Sequence, residues 1–248
     1  MSAYPFGIDF GGSGIKGAPV DVHAGDFAAE RVRIETPNPS TPAAVAAVLT
    51  DLLGQFPDSS APIGVTVPGV VQHGVVRSAA NIDKSWIDAD ADALFTAATG
   101  RDVHVVNDAD AAGLAEARYG AARDQQGLVI VTTLGTGIGS AMIHDGVLVP
   151  NSELGHLEVD GHNAERRAAN SARERENLSW EDWAERLSTY YSAVERLFAP
   201  DLIVVGGGVS KQGERFLPLI RVRTPLVPAT LQNRAGIIGA ALYAVRAT

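Results

Sequence analysis

The chain has 248 residues, 46% hydrophobic and 20% charged, with a formal net charge of -9, six histidines and no cysteine. That length can bury a substantial core in one large or two small domains, and the missing cysteine excludes disulfides, a thiol nucleophile and a Cys-type structural zinc site. The acidic balance argues against nucleic acid, no run reaches the roughly 20 apolar residues of a bilayer span, and the start MSAYPFGIDFGG lacks the regions of a secretory signal, so a cytoplasmic protein without a membrane partner is expected.

Residues 6–10 (FGIDF) are an apolar run with one acid, followed by GGSG and IKGAPVDV, which predicts a β-hairpin. Helical spacing predicts a helix over 41–56, with Thr41 as N-cap and Pro42 at its first position. A strand follows at 63–71, broken by Pro68-Gly69, and another at 103–108, leading into a helix over 109–120 closed by Gly120. The second half begins the same way: strand 128–134, a GTG turn, then a strand with an Asp145-Gly146 hairpin. Residues 179–198 read as a helix with Ser179 as N-cap and Asp182 three residues on, a weak capping box. A buried strand opens 201–211 and runs into a third Gly-rich turn and a helix start, and 235–245 is a small-residue helix fit for close packing.

GGSGIKGA at 11–18 and GTGIGSA at 135–141 share a GI-x-x-A core, almost half a chain apart. A match of small residues can arise by chance. Two such hairpins, each opening one half, still predict a duplicated architecture of two similar α/β domains facing a cleft. The expected domains are 1–107, with the first phosphate loop, and 108–248, with the second and a nucleotide-side loop, the C-terminal helix being able to pack back on the first.

The chemistry lies in the loops. In Asp9-Phe10-Gly11-Gly12-Ser13-Gly14-Ile15-Lys16, glycines let backbone N–H groups converge on an anion, Ser13 adds a hydroxyl and Lys16 a cation. Asp9, ending the strand, is placed to hold a hydrated Mg²⁺. An ordinary hairpin turn is the other reading. Gly135, Thr136 and Gly137 form a second phosphate-loop candidate, which lacks the GxGxxG order of a dinucleotide fingerprint. Gly206, Gly207 and Gly208 lead from a strand into a helix start, where N–H groups favour a nucleotide. Asn107-Asp108 ends a strand, so Asp108 is either a general base with Asn107 orienting the substrate, or the N-cap of the next helix. Glu153 and His156 flank a glycine and suit a polyol, whereas no third ligand makes them a metal site. Glu165 lies in a polar stretch and by itself is ordinary surface.

Taken in order, Asp-x-Gly-Gly-[Ser/Thr], Asn-Asp, LGTGIG, ELGH and VGGGVS cover nearly the whole chain. In that order they resemble the sugar kinases of the ROK family (repressor, open reading frame, kinase). The wording DFGGSGIKGAPVD, ANIDKSWI and PNSELGHLEVDG is similar to the actinobacterial polyphosphate glucokinases and glucomannokinases within it. The resemblance implies a duplicated actin/hexokinase-like ATPase fold and transfer of a terminal phosphoryl group from polyphosphate or ATP to the 6-hydroxyl of glucose, with mannose as a second candidate. It implies Asp108 as general base with Mg²⁺, and Asn107, Glu153 and His156 on sugar hydroxyls, with Asn81 a further sugar-side residue. The N-terminal and 135–139 loops would hold donor phosphates, and Gly206–Gly208 would flank adenosine. An ATP-only glucokinase and an N-acetylhexosamine kinase remain as alternatives. A sugar-responsive ROK regulator is disfavoured, because the phosphate loop begins at Asp9 and leaves no room for a helix-turn-helix. Homodimer and monomer both stay open.

Two departures from the family pattern matter. The Cys-rich zinc segment that follows the His in typical members cannot exist here, so no zinc is expected, and the sugar-binding Glu beyond it is carried over to Glu165 through AERRAA. The family's Lys directly after the Thr is Gly14 here, with Lys16 two residues later. A polyphosphate donor on an acidic protein also needs a local cationic track. Its candidates are Lys16, Lys84, Lys211, Arg166, Arg167, Arg173 and Arg175, although ARERENLSWEDWAER also reads as a solvated helix face.

Overall fold

The computed structural model describes residues 4–56, 61–80 and 82–247. By contact it divides into two compact units, Met1–Ala115 with Arg234–Thr248 and Glu116–Asn233. Among the described residues no helix is long and apolar enough to cross a membrane.

In the first unit β1 (Phe6–Gly11) and β2 (Gly14–Asp21) form the expected hairpin, with Asp9 opposite Lys16. The short strands β3 (Asp26–Phe27) and β4 (Val32–Ile34) both pair with β2. Helix α1 (Pro42–Gly54) begins at Thr41, whose hydroxyl accepts from the Ala44 N–H at 3.3 Å. β5 (Ile63–Val67) lies parallel to β1, and β6 (Val71–Gln72) pairs with β7 (Val75–Val76). Helix α2 (Ala91–Thr99) is absent from the sequence reading, although Asp90 caps one end and Gly100, at φ 66°, closes the other. β8 (Val103–Asn107) then joins β5 in parallel, and α3 (Asp108–Tyr119) follows directly.

The first sheet runs β3-β2-β1-β5-β8, with β4 also on β2. Its central strands are apolar along both faces because helices cover both. Phe6, Ile8 and Phe10 share a core with Leu49 and Leu52 of α1 and with Trp86 and Phe95. The C-terminal helix, Ala235–Ala247, packs on β1 and β5. Two glycines in register admit it: a Cβ on Gly7 would stand 1.9 Å from the Ile237 carbonyl oxygen, and one on Gly64 1.8 Å from that of Ala240.

The second unit opens with the antiparallel strands β9 (Leu128–Leu134), β10 (Ile138–His144) and β11 (Val147–Val149). Asp145 and Gly146, at φ 49° and 77°, supply the tight turn read from the sequence. A small hairpin, β12 (Glu158–Val159) with β13 (His162–Asn163), precedes the short helices α4 (Ala164–Ala168) and α5 (Asn170–Arg175). Helix α6 (Trp180–Phe198) starts at Ser179, whose Oγ accepts from the Asp182 N–H at 3.0 Å. The Asp182 carboxylate accepts from the Ser179 hydroxyl at 2.8 Å, a side-chain variant of the capping box. Trp183, Leu187, Tyr190, Tyr191 and Val194, at helical spacing, bury its inner face. β14 (Leu202–Gly206) and β15 (Leu226–Pro228) complete the sheet in the order β11-β10-β9-β14-β15.

The two sheets have the same plan: an antiparallel hairpin beside two strands parallel to its first member. The shared GI-x-x-A core opens the second strand of each hairpin, with Ile15 paired to Phe10 and Ile138 to Leu134 across turns that differ in length by one residue. The division between units falls inside α3 rather than at residue 107. Its first turns pack on the C-terminal helix, where a Cβ on Gly239 would meet the Ala111 carbonyl at 1.8 Å. Glu116, 1% exposed, instead accepts from the N–H groups of Ala121, Thr230 and Leu231.

Candidate active site

In the first unit the parallel strands β1, β5 and β8 end along one edge of the sheet, where α/β folds place reacting groups. The Thr66 hydroxyl accepts from the Phe10 N–H at 3.0 Å and donates to Asp9 Oδ1 at 3.2 Å, fixing that carboxylate. Asp9 Oδ2 faces the Lys16 ammonium at 3.6 Å across the hairpin. Arg33, opposite Lys16 on β4, donates to the Ser13 carbonyl at 2.6 Å and fills the space that a Cβ on Gly14 would need. The sequence reading missed Arg33, because only the pairing of β4 with β2 brings it beneath the turn.

Asn107 takes the capping role that the sequence reading offered to Asp108. Asn107 is 6% exposed, and its Oδ1 accepts from the N–H groups of Ala109 at 2.8 Å and Asp110 at 3.0 Å. Its Nδ2 donates to the Gly69 carbonyl at 3.0 Å. The carboxamide therefore caps α3, and both of its ends are engaged within the protein. Asp108, at the first helical position and half-buried, accepts from the Ala109 N–H at 2.8 Å through Oδ1. Asn81 lies outside the described residues.

In the second unit Glu153, His156 and Glu165 come together around the start of β10. Gly155 makes this possible, because a Cβ there would stand 2.1 Å from the Ile138 carbonyl oxygen. The Ile138 N–H donates to Glu165 Oε2 at 3.1 Å. His156 stands between the two acids, with Nε2 3.7 Å from Glu153 Oε2 and Nδ1 3.7 Å from Glu165 Oε1. Asn163, which caps α4, also reaches His156 Nδ1 at 3.3 Å. Burial pushes the Glu153 carboxyl above its ordinary range; the neighbouring His156 opposes this and Glu165 adds to it. Two carboxylates and an imidazole at a strand edge can bind several hydroxyls of a polyol at once.

The second Gly loop is anchored from behind. The Ser171 N–H donates to the Gly135 carbonyl at 3.0 Å and its hydroxyl to the Thr136 carbonyl at 2.6 Å. Gly137 is held small by Glu165, whose Oε2 would lie 2.3 Å from an added Cβ. Gly207, at φ 84°, crosses close over Leu134. The helix start expected after it is a 3-10 helix, Gly208–Arg215, kinked at Gln212, because the Ser210 N–H and hydroxyl both turn back to the Gly207 carbonyl.

Three loop glycines have no reason within the fold to be glycine. Gly12, Gly135 and Gly208 show no positive φ, and a Cβ on any of them would meet nothing within 4 Å. Bare backbone at all three is what close approach of a ligand requires. Asp9 fits a hydrated Mg²⁺: one oriented carboxylate beside an anion loop is the usual protein share of such a site, the rest being water and phosphate. Among the described residues no group of three or more His, Asp or Glu is arranged to hold a metal.

A family model described as the ROK family matches residues 5–166. The chain is 51% identical over 244 residues to a polyphosphate glucokinase of Mycobacterium tuberculosis, covering 98% of this chain and 92% of that one. It is similar in structure to the inorganic polyphosphate/ATP-glucomannokinase of Arthrobacter sp. strain KM, with TM-score 0.95, 54% identity and all of both chains covered. A ROK family glucokinase from Streptomyces griseus shares the fold at TM-score 0.83 and 23% identity, over 98% of this chain and 99% of that one.

Proposed function

The chain belongs to the ROK family, with its actin/hexokinase-like fold, and from that premise we propose that it moves the terminal phosphoryl group of polyphosphate or ATP to the 6-hydroxyl of glucose. The observation that carries this reading is identity of about half the residues over nearly the full length of chains with that activity. Mannose is the second acceptor in the reading, following the Arthrobacter relative. A cytoplasmic location goes with it.

Asp108 accepts the proton of the attacking hydroxyl. It can do so because Asn107 has taken over the capping of α3. Glu153, His156 and Glu165 hold the remaining sugar hydroxyls, and the separation of the two acids by the imidazole sets their spacing. Backbone N–H groups of the Gly11–Gly14 and Gly135–Gly137 loops orient the donor phosphates, with Lys16 and Arg33 adding positive charge at the first loop. Gly206–Gly208 serve the adenosine side when ATP is the donor. Asp9 is the residue that would hold a hydrated Mg²⁺, which would supply positive charge at the donor phosphates. A coupled assay for glucose 6-phosphate, run with each donor alone, tests the reading, and inactivity with both overturns it. Asp108→Asn should lower kcat by roughly 10²–10⁴-fold with glucose binding largely spared. Near-normal turnover would remove Asp108 as the base.

A further inference from the structure

We propose that Arg173, Trp180 and Arg215 form a subsite for the distal phosphates of a long polyphosphate donor, a proposal that rests on the phosphoryl-transfer reading above. Trp180 opens α6 and stacks on buried Phe216, with ring planes 15° apart and centroids 5.9 Å apart. Two cations share its indole: the guanidinium carbon of Arg173 lies 4.1 Å from the ring centroid and that of Arg215 4.7 Å. Among the described residues neither arginine has a carboxylate within 4 Å, whereas nearby Arg175 and Arg186 are both neutralised by Glu176, at 2.9 and 2.7 Å. Glu174, next to Arg173, is turned toward Asn170, whose Nδ2 donates to it at 2.8 Å.

Stacking engages the flat face of a guanidinium and leaves its edge N–H groups for other partners. Arg173 spends only Nε, on Asn170 Oδ1 at 3.2 Å, and Arg215 has one long contact, Nη1 to Gln212 at 3.4 Å. The remaining forks suit phosphate oxygens. Two like charges on one ring also repel each other, and an anion placed between them removes that repulsion.

Each arginine is tethered to a donor loop. Ser171 moors α5 on Gly135 and Thr136, and Arg173 follows two residues later. Arg215 ends the 3-10 helix that starts at Gly208. At a rise of about 2 Å per residue this helix carries Arg215 up to about 14 Å beyond Gly208. The pair thus stands past the loops rather than in them. A long phosphate chain reaches such a position and a short one ends before it.

The test compares donors of one chemistry and different length. Arg173→Met, Arg215→Met and the double variant keep the aliphatic stems on Trp180 while removing the forks. Glucose 6-phosphate formation is measured with long-chain polyphosphate, tripolyphosphate and ATP, and binding of long-chain polyphosphate by titration calorimetry. The expected result is a fall of about tenfold per arginine in kcat/KM for the long chain, with a matching rise in Kd. Tripolyphosphate and ATP, which also report that the variants fold, should stay within twofold. Arg173→Lys should keep more long-chain activity than Arg173→Met. An unchanged long-chain value, or an equal fall with all three donors, overturns the subsite. Wild-type activity with ATP but with no polyphosphate overturns the subsite and leaves the kinase reading standing, whereas a wild-type protein inactive with every donor overturns the reading itself.

Discussion

Replacing Asn107 by alanine should damage the fold and the chemistry together. The side chain caps α3 through two N–H groups at 2.8 and 3.0 Å and satisfies the Gly69 carbonyl at 3.0 Å. Losing an N-cap of this kind costs about 1 kcal/mol. Leaving a part-buried carbonyl without its donor adds about 1 kcal/mol. In a protein of this size a loss of about 2 kcal/mol lowers Tm by roughly 4–8 °C. The catalytic consequence follows from what replaces the cap. Asp108 already accepts from the Ala109 N–H at 2.8 Å and is the nearest substitute acceptor for the freed helix terminus. Drawn into that role, it serves less well as a base, and kcat should fall about tenfold, equivalent to about 1.4 kcal/mol, with KM for glucose little changed. Asn107→Asp, which keeps the acceptor and loses the donor to Gly69, should show about half the Tm loss. Thermal unfolding and the coupled glucose 6-phosphate assay read both effects. An unchanged Tm in Asn107→Ala would refute the capping assignment. A lowered Tm with wild-type kcat would refute the coupling between the Asn107 cap and the action of Asp108 as base.

Gly12→Ala, Gly135→Ala and Gly208→Ala should each leave Tm within about 1–2 °C of wild type, because no φ or neighbour opposes a methyl group there. Their KM for donor should rise several-fold, and a lowered Tm with unchanged KM would show that these glycines serve the fold. Because the folded Glu153 carboxyl is raised, stability from its protonated form is full below the ordinary carboxyl range and is lost as pH rises through the folded value. Its ionised form is the one that accepts sugar hydroxyls, so kcat/KM for glucose should climb across the same window. That acid limb should disappear in Glu153→Gln, and its persistence would assign it to another group. Glu116→Ala strips three backbone N–H groups of their acceptor and should cost about 3 kcal/mol in urea unfolding. Glu116→Gln, keeping one acceptor oxygen, should cost less.

Much of the fold could be read from local pattern. Thr41-Pro42, Ser179 and Asp145-Gly146 act on backbone groups within a few residues, so their helix starts and turn follow from the residues themselves. The repeated GI-x-x-A core pointed to two similar sheets, which share strand order. Helix α2 carried the same kind of signals in Asp90 and Gly100, but between them only Leu94 and Phe95 are large apolar residues, a run too short to stand out as a helix.

The sites were legible as residue types and illegible as arrangements. Sequence order alone placed Asp108 at a strand end and Glu153, His156 and Glu165 in polar stretches, yet it left Asp108 undecided between base and cap. Only the folded chain shows the cap on Asn107, Gly155 seated against Ile138 so that three polar side chains converge, and Arg33 drawn beneath the first Gly loop. Caps and turns are decided by hydrogen bonds inside a few residues. These arrangements depend on which backbones lie close enough to touch across tens of residues, and that is set by packing.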